Sequence, residues 1–366
     1  MTALPADQDP PRKPESIAFQ VADAVCDRPV VLLGELPTHG EGRAFEIKAE
    51  IVDHLIDRCG FDALLFEAGV YDFVGLRQAI EARRATPPQL DRAIGGFWTT
   101  RELKPWRRRL FDRAVAGRLV LGGIDDQLSA TADHARASLP RLIAEALPDP
   151  LASECVDAVE RHLYWRYDEQ HPWDGDEQQR LASCTGRAAD SRRAGGSSTP
   201  ERWMLDNLAS YCARQTGRED APQRAAVMAE NVRWQRTRLP DEAKIVVWTA
   251  TVHASRRRGS LGHRPMGERL ARTWGHEMAV IGFTAFAGES SRAGQPPRPI
   301  AAASAGSLEA IATSAQVPAA YLDRAALRAL GEVPSRLFGR WTSALWSDHF
   351  DGVIVVREEV APSFDR

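Results

Sequence analysis

Residues 30–69 read VVLLGELPTHGEGRAFEIKAEIVDHLIDRCGFDALLFEAG, and their pattern is the strongest indication of the fold class. The runs at 30–34 and 62–67 are short and rich in aliphatic residues, as is typical of buried strands. Between them, apolar residues recur at helical spacing over 44–56, and the pattern ends near Gly60. The stretch therefore predicts a β-α-β unit with two parallel strands.

Similar patterns continue along the rest of the chain. Four further aliphatic runs predict strands, at 119–125, 244–249, 278–283 and 352–356. Continuous apolar runs are typical of strands that are covered on both faces. We therefore expect an α/β fold with a mostly parallel central sheet flanked by helices.

Several segments between the strands predict helices. The run from Thr99 to Glu102 has the form of a capping box and predicts a helix from 99 to about Val115. Residues from about 128 to 240 have helical periodicity and no convincing strand, which predicts a large helical insertion. The region from Ser307 to about Leu330 also predicts helix.

The composition narrows the class of protein. The 366 residues include 47 basic and 50 acidic side chains, a balance that argues against a nucleic-acid-binding protein. No apolar run is long enough to predict a membrane span. Residues 1–15 are polar and Pro-rich without a signal-peptide pattern, so we expect a disordered tail there, a single α/β domain over 16–366 and a cytoplasmic location. The five cysteines are widely spaced and predict reduced, mostly buried thiols.

Polar residues stand where the predicted strands end. Glu35 and His39 follow the first strand, Glu67 and Asp125 end the next two, and His253 follows the fourth. Since parallel strands present their carboxyl ends at one edge of a sheet, these side chains should meet in one crevice. A single carboxylate after a strand often only caps a helix, and a single histidine is often a loop or core residue. A histidine flanked by carboxylates, however, has the chemistry of a general base that activates water.

Several motifs resemble those of the erythromycin esterase family. The opening segments LLGELPTHGEGRAFEIK and GFDALLFEAG are similar to that family's opening motif. Later segments resemble further family motifs in the same order: GGFWTTREL, RAAVMAENVRW at 224–234, KIVVWTATVH, MGERLARTWGHEMAVIGF and FDGVIVVRE. The resemblance spans about residues 30–357 and is more specific than any one motif.

The resemblance implies a hydrolase that cleaves an ester or lactone, with macrolide-like compounds among the candidate substrates. It implies that His39 is the general base and that Glu35 and Glu67 are the two essential carboxylates. His253 and Lys48 would stabilise the oxyanion or protonate the leaving alcohol. The implied reaction needs no metal and no cofactor, and the implied partner is a small ester or lactone rather than a nucleic acid or a membrane.

Four further residues are candidates for contacting the substrate. Trp98 and Glu102 lie in the segment that resembles the family's Trp-and-Glu helix, and Asp125 lies at a strand end. Arg256 begins a run of three arginines that can bind an anionic substrate, although such a run is more often a solvated loop.

Three departures from the family pattern leave alternatives open. Ala250 replaces the first of two family histidines, so only His253 remains. One extra residue separates Glu35 from His39, and Lys48 stands where the erythromycin-cleaving relatives have arginine. One alternative is a metal-dependent hydrolase resembling Tiki-like proteases, or a haem-binding relative. The other is a degenerate site that binds a small molecule without turning it over.

Overall fold

The computed structural model describes residues 16–129, 132–194, 196 and 198–364. The tail expected at 1–15 lies outside the described residues. In the described part of the chain, helices cover both faces of a mostly parallel sheet, which confirms the predicted fold class. No helix in these ranges is long and apolar enough to cross a membrane.

The strands form one large mixed sheet and one small sheet. The large sheet has the order β3-β2-β4-β1-β5-β10-β7, in which β7 is antiparallel to β10 and the other pairs are parallel. β6 pairs antiparallel with the end of β5, and β8 pairs with β9. The strands are β1 (Val30–Leu33), β2 (Phe61–Gly69), β3 (Val120–Asp125), β4 (Lys244–Trp248), β5 (Met278–Ser290), β6 (Arg298–Ile300), β7 (Ala319–Asp323), β8 (Glu332–Ser335), β9 (Thr342–Leu345) and β10 (Gly352–Glu359).

Helices connect most of the strands, and among the described residues three follow one another between β2 and β3 and five between β3 and β4. They are α1 (Ile17–Val25), α2 (Gly42–Cys59), α3 (Val70–Glu81), α4 (Pro87–Ile94), α5 (Lys104–Val115), α6 (Asp133–Ala146), α7 (Leu151–Leu163), α8 (Gly175–Ala194), α9 (Pro200–Gln215), α10 (Arg224–Arg236), α11 (Thr251–Ala254), α12 (Met266–Trp274), α13 (Leu308–Ala312), α14 (Arg324–Leu330) and α15 (Trp346–His349).

The unit β1-α2-β2 forms as the sequence predicts, with one correction. Gly60 ends α2 in the left-handed conformation at φ 69°, which an L side chain rarely adopts. β1 and β2 are parallel but not adjacent, because β4 lies between them and pairs with both. Which strand fills that position depends on a segment far along the chain, so the local pattern alone does not determine it.

Both faces of the sheet are buried, as the continuous apolar runs predict. Val31 and Leu33 of β1 point into one hydrophobic core, and Val30 and Leu32 point into a second core on the opposite face. Side chains alternate along a strand, so a run of apolar residues supplies both cores at once.

Two of the predicted helical regions are wrong in detail. α5 begins at Lys104 rather than at 99, because Glu102 accepts a hydrogen bond from the backbone N–H of Ser363 (3.0 Å) and does not close a capping box. The region 307–330 contains β7 between two short helices, and β7 pairs with β10 at the edge of the sheet.

The described residues between β3 and β4 form α6 to α10. Helices α6 to α9 pack around a separate core to which Val70, Tyr71 and Val74 of α3 also belong. α10 instead contacts β3, and its residues Met228, Ala229 and Val232 belong to a core of the sheet. This docking places the first residue of α10 at the carboxyl end of β3.

The expectation of reduced cysteines is wrong for four of the five. Disulfides join Cys26 to Cys59 and Cys155 to Cys184, while Cys212 is a buried free thiol. The bonded pairs are 33 and 29 residues apart, and no short motif marks such pairs in the sequence.

Candidate active site

A cavity of about 420 Å³ lies beyond the carboxyl ends of the parallel strands. This is the edge at which open parallel sheets bind their ligands. Five polar side chains from separate elements line it: His39 after β1, Glu67 of β2, Asp125 of β3, Arg224 of α10 and His253 of α11. The predicted convergence is therefore observed for four of the five strand-end residues, and the fifth, Glu35, lies buried behind the cavity.

Glu35 is the buried centre of the polar network behind this cavity. Its Oε1 atom accepts hydrogen bonds from His39 Nδ1 (2.5 Å) and Trp98 Nε1 (2.9 Å), and its Oε2 atom accepts them from Lys48 Nζ (2.7 Å) and Trp248 Nε1 (2.8 Å). Burial raises the pKa of this carboxyl. The charge of Lys48 and the hydrogen bond from His39 together lower the pKa by a larger amount, so the net shift is downward. Glu35 is thus held as a carboxylate.

His39 presents one ring nitrogen to the carboxylate and the other to the cavity. Its backbone is left-handed (φ 51°), which turns the chain back so that Nδ1 reaches Glu35. The Nε2 atom lies 3.9 Å from Oε1 of Glu67. Burial lowers the pKa of His39, but the hydrogen bond with Glu35 and the charge of Glu67 outweigh it, so the pKa is raised.

The loop that carries His39 is fixed by a second acid, Glu41, which the sequence reasoning did not single out. Glu41 is fully buried, accepts a short hydrogen bond from the Thr38 hydroxyl and accepts the N–H of Gly40 (2.9 Å). Burial raises its pKa to about 7.

Lys48 lies behind the site rather than in it. Its side chain is fully buried, its Nζ contacts Glu35, and it lies 4.1 Å from the centre of the Trp248 ring. Burial lowers its pKa to about 8. Because Lys48 does not line the cavity, it can act on a substrate only through Glu35 and His39, not directly as an oxyanion contact.

Glu67 forms the floor of the cavity and is held on several sides. Oε2 accepts hydrogen bonds from Thr249 Oγ1 (2.6 Å) and the N–H of Ala250 (2.8 Å), and Oε1 accepts one from Arg224 Nη2 (3.0 Å). Burial raises its pKa, but the charges of His253, His39 and Arg224 lower the pKa well below its usual value. Glu67 therefore remains ionised beside His39.

Arg224 lines the cavity but was not predicted from the sequence. Its guanidinium makes a fork with Asp125, with Nε at 3.0 Å and Nη2 at 2.6 Å from the two carboxylate oxygens, and the same Nη2 also binds Glu67. Asp125 and Glu67 raise the pKa of Arg224 despite its burial. Its position as the first residue of the motif RAAVMAENVRW could have marked Arg224 as a candidate. The residues around it, however, do not indicate that α10 docks at this edge of the sheet.

His253 also lines the cavity and, like His39, lies beside Glu67. Its Nε2 atom lies 3.3 Å from Oε1 of Glu67 and 3.4 Å from Nη1 of Arg224. Its Nδ1 atom is buried and has no hydrogen-bond partner among the described residues. Ala250, where the family pattern has a histidine, also lines the cavity and contributes its backbone N–H to Glu67.

A sequence profile described as Erythromycin esterase matches residues 56–359. The chain belongs to the erythromycin esterase family. The match begins within α2 and includes Glu67, Arg224 and His253, whereas Glu35 and His39 precede it. Membership in this family indicates a hydrolase with a small-molecule substrate.

Three solved structures share the fold with this erythromycin esterase family member. A Bacillus cereus protein is 16% identical and has a TM-score of 0.70, with 95% of this chain and 92% of that chain covered. A succinoglycan biosynthesis protein is 15% identical with a TM-score of 0.71, covering 99% and 95%. A mutant of the erythromycin esterase EreC in its open conformation is 16% identical with a TM-score of 0.62, covering 93% of each chain. No curated protein was found to match the chain.

The four residues that the sequence predicts to contact the substrate fall into two groups. Trp98 and Asp125 line the cavity, although Trp98 is almost fully buried and donates its N–H to Glu35. Glu102 binds the backbone of Ser363, and Arg256 forms an ion pair with Asp351 (2.6 Å); neither lines the cavity. These two residues hold other segments together, so we leave them out of the site.

The cation that pairs with the carboxylates of the erythromycin esterase-like site is an arginine side chain. The guanidinium of Arg224 lies between Asp125 and Glu67 and contacts both carboxylates. Among the described residues, no group of three or more His, Cys, Asp or Glu side chains is arranged to hold a metal ion.

Proposed function

We propose that this protein hydrolyses a small ester or lactone and that His39 is the general base. The observation that supports this most strongly is the pair Glu35–His39, with Nδ1 at 2.5 Å from the carboxylate and the ring lining the cavity beside Glu67. A carboxylate at Nδ1 keeps a proton on that nitrogen and leaves the Nε2 lone pair for a water molecule.

The proposed reaction has two steps. Nε2 of His39 takes a proton from water while the water oxygen forms a bond to the carbonyl carbon of the ester, giving a tetrahedral oxyanion. The carbon–oxygen bond to the alcohol then breaks, and the proton passes from His39 to the leaving oxygen. N–H groups of Arg224 and His253, on the same wall, stabilise the oxyanion. The products are a carboxylic acid and an alcohol, or a hydroxy acid from a lactone.

The test is mass spectrometry of a panel of esters and lactones, macrolides included, after incubation with the protein. The expected result is a lactone that gains the mass of one water, or an ester that is replaced by its acid and alcohol, with the reaction lost in His39→Ala and retained in the presence of a chelator. His171→Ala is the matched control, since His171 is exposed on the insertion and outside the cavity. The melting temperature of His39→Ala should stay near that of the wild type.

Two results would replace this proposal with another. Hydrolysis that is abolished by the chelator would favour a metal-dependent mechanism. A panel compound that raises the melting temperature but gives no product, even after long incubation, would favour a binding protein whose chemistry was lost with the histidine replaced by Ala250.

A further inference from the structure

Arg292 lines the same cavity and contacts only neutral groups. Its Nε donates to the carbonyl oxygen of Thr38 (2.6 Å) and its Nη2 to that of Pro37 (3.2 Å). Its guanidinium lies 5.5 Å from the centre of the Phe97 ring. No ion pair joins it to a carboxylate in the part of the chain that the structure describes.

The other cations at the cavity each form an ion pair within the protein. Arg224 contacts two carboxylates, Asp125 and Glu67, at 2.6 and 3.0 Å. Behind the cavity wall, Lys48 is balanced by Glu35 at 2.7 Å. Among the described residues, Arg292 by contrast forms no ion pair, so its guanidinium remains able to bind an anionic group.

Arg292 also lies at a defined position relative to the proposed base. Phe97 stacks on the imidazole of His39 with ring centres 5.1 Å apart, and the guanidinium of Arg292 contacts the same phenyl ring. Arg292 and His39 thus contact the same aromatic side chain and line the same cavity. A substrate that reaches both residues can place one group at Arg292 and its carbonyl at His39.

We propose that Arg292 binds a carboxylate of the substrate, so that the preferred substrate is a small ester whose acid part carries a second, ionised carboxyl group. This inference rests on the proposed function for the ester bond, but the binding of the carboxylate itself does not depend on turnover. Guanidinium groups bind carboxylates through short, charge-assisted hydrogen bonds, and a partly enclosed cavity strengthens them.

The kinetic test compares monomethyl glutarate with uncharged methyl pentanoate. We expect the wild type to have the higher kcat/KM for monomethyl glutarate and the ratio of the two values to fall about tenfold in Arg292→Gln. Arg298→Gln is the matched control, because Arg298 is exposed on nearby β6 outside the cavity, and there the ratio should not change. An unchanged ratio in Arg292→Gln would overturn the inference. If both kcat/KM values fell by the same factor, Arg292 would instead be a support for the His39 loop.

A binding test separates this inference from the proposed function. Glutarate should raise the melting temperature of the wild type and of Arg298→Gln, and should have a much smaller effect on Arg292→Gln. If no ester is hydrolysed but this pattern holds, the carboxylate site stands and the esterase proposal fails. If esters are hydrolysed but glutarate stabilises all three proteins equally or none of them, the esterase proposal stands and the carboxylate site fails.

Discussion

Nδ1 of His39 lies 2.5 Å from Oε1 of Glu35, and the carboxylate is fully buried. Four side-chain N–H donors surround Glu35, so its charge is held in place rather than solvated. The remaining ring nitrogen of His39 is directed to the cavity side, next to Glu67. This arrangement makes the protonation state of His39 the quantity on which activity should depend.

The first prediction concerns pH. Since Glu35 and Glu67 raise the pKa of His39, activity should fall as the pH drops through an inflection above 6.5, where the base becomes protonated. Glu35→Gln should move that inflection to lower pH and reduce kcat/KM on the order of 10². An NMR titration of the imidazoles checks this directly, with His263 as an internal comparison, because burial lowers its pKa. An inflection that stays in place in Glu35→Gln would contradict the assignment.

Lys48 should matter for stability. Lys48→Met leaves a buried carboxylate without its cation and should lower the free energy of unfolding by roughly 3–5 kcal/mol. Lys104→Met, at an exposed lysine of α5, should change it by less than about 0.5 kcal/mol. Urea unfolding of the two variants measures the difference. Equal midpoints would mean that the ion pair with Glu35 contributes nothing.

Arg224 should be needed as an arginine and not only as a cation. Lysine cannot bind Asp125 in a fork and contact Glu67 at the same time, so Arg224→Lys should lower kcat/KM about 10²-fold while the protein stays folded. Arg233→Lys on the same helix, outside the cavity, should leave the kinetics unchanged. If Arg224→Lys retains full activity, its two-carboxylate contact has no part in catalysis.

The cysteine pairing can be counted chemically. In denaturant without reductant, one thiol per chain should react with a thiol reagent, namely Cys212, and all five should react after reduction. Reduction should also lower the melting temperature, since each disulfide restricts the unfolded chain and contributes about 2–4 kcal/mol. Five reactive thiols before reduction would restore the expectation of reduced cysteines.

The local sequence determined the six parallel strands, α2 and part of the site. Aliphatic runs and helical spacing are properties of neighbouring residues, so the six parallel strands and α2 could be read directly from them. Because the carboxyl ends of parallel strands share one edge, the placing of Glu35, Glu67 and Asp125 followed as well.

Tertiary structure alone decided the contacts between distant segments. Arg224 binds Asp125 across 99 residues and Glu67 across 157, and β4 enters the sheet between β1 and β2. Arg292 reaches the loop of Thr38 across 254 residues. Such contacts depend on how whole helices and strands dock, which is set by the packing of the entire core and leaves no periodic signal in the chain.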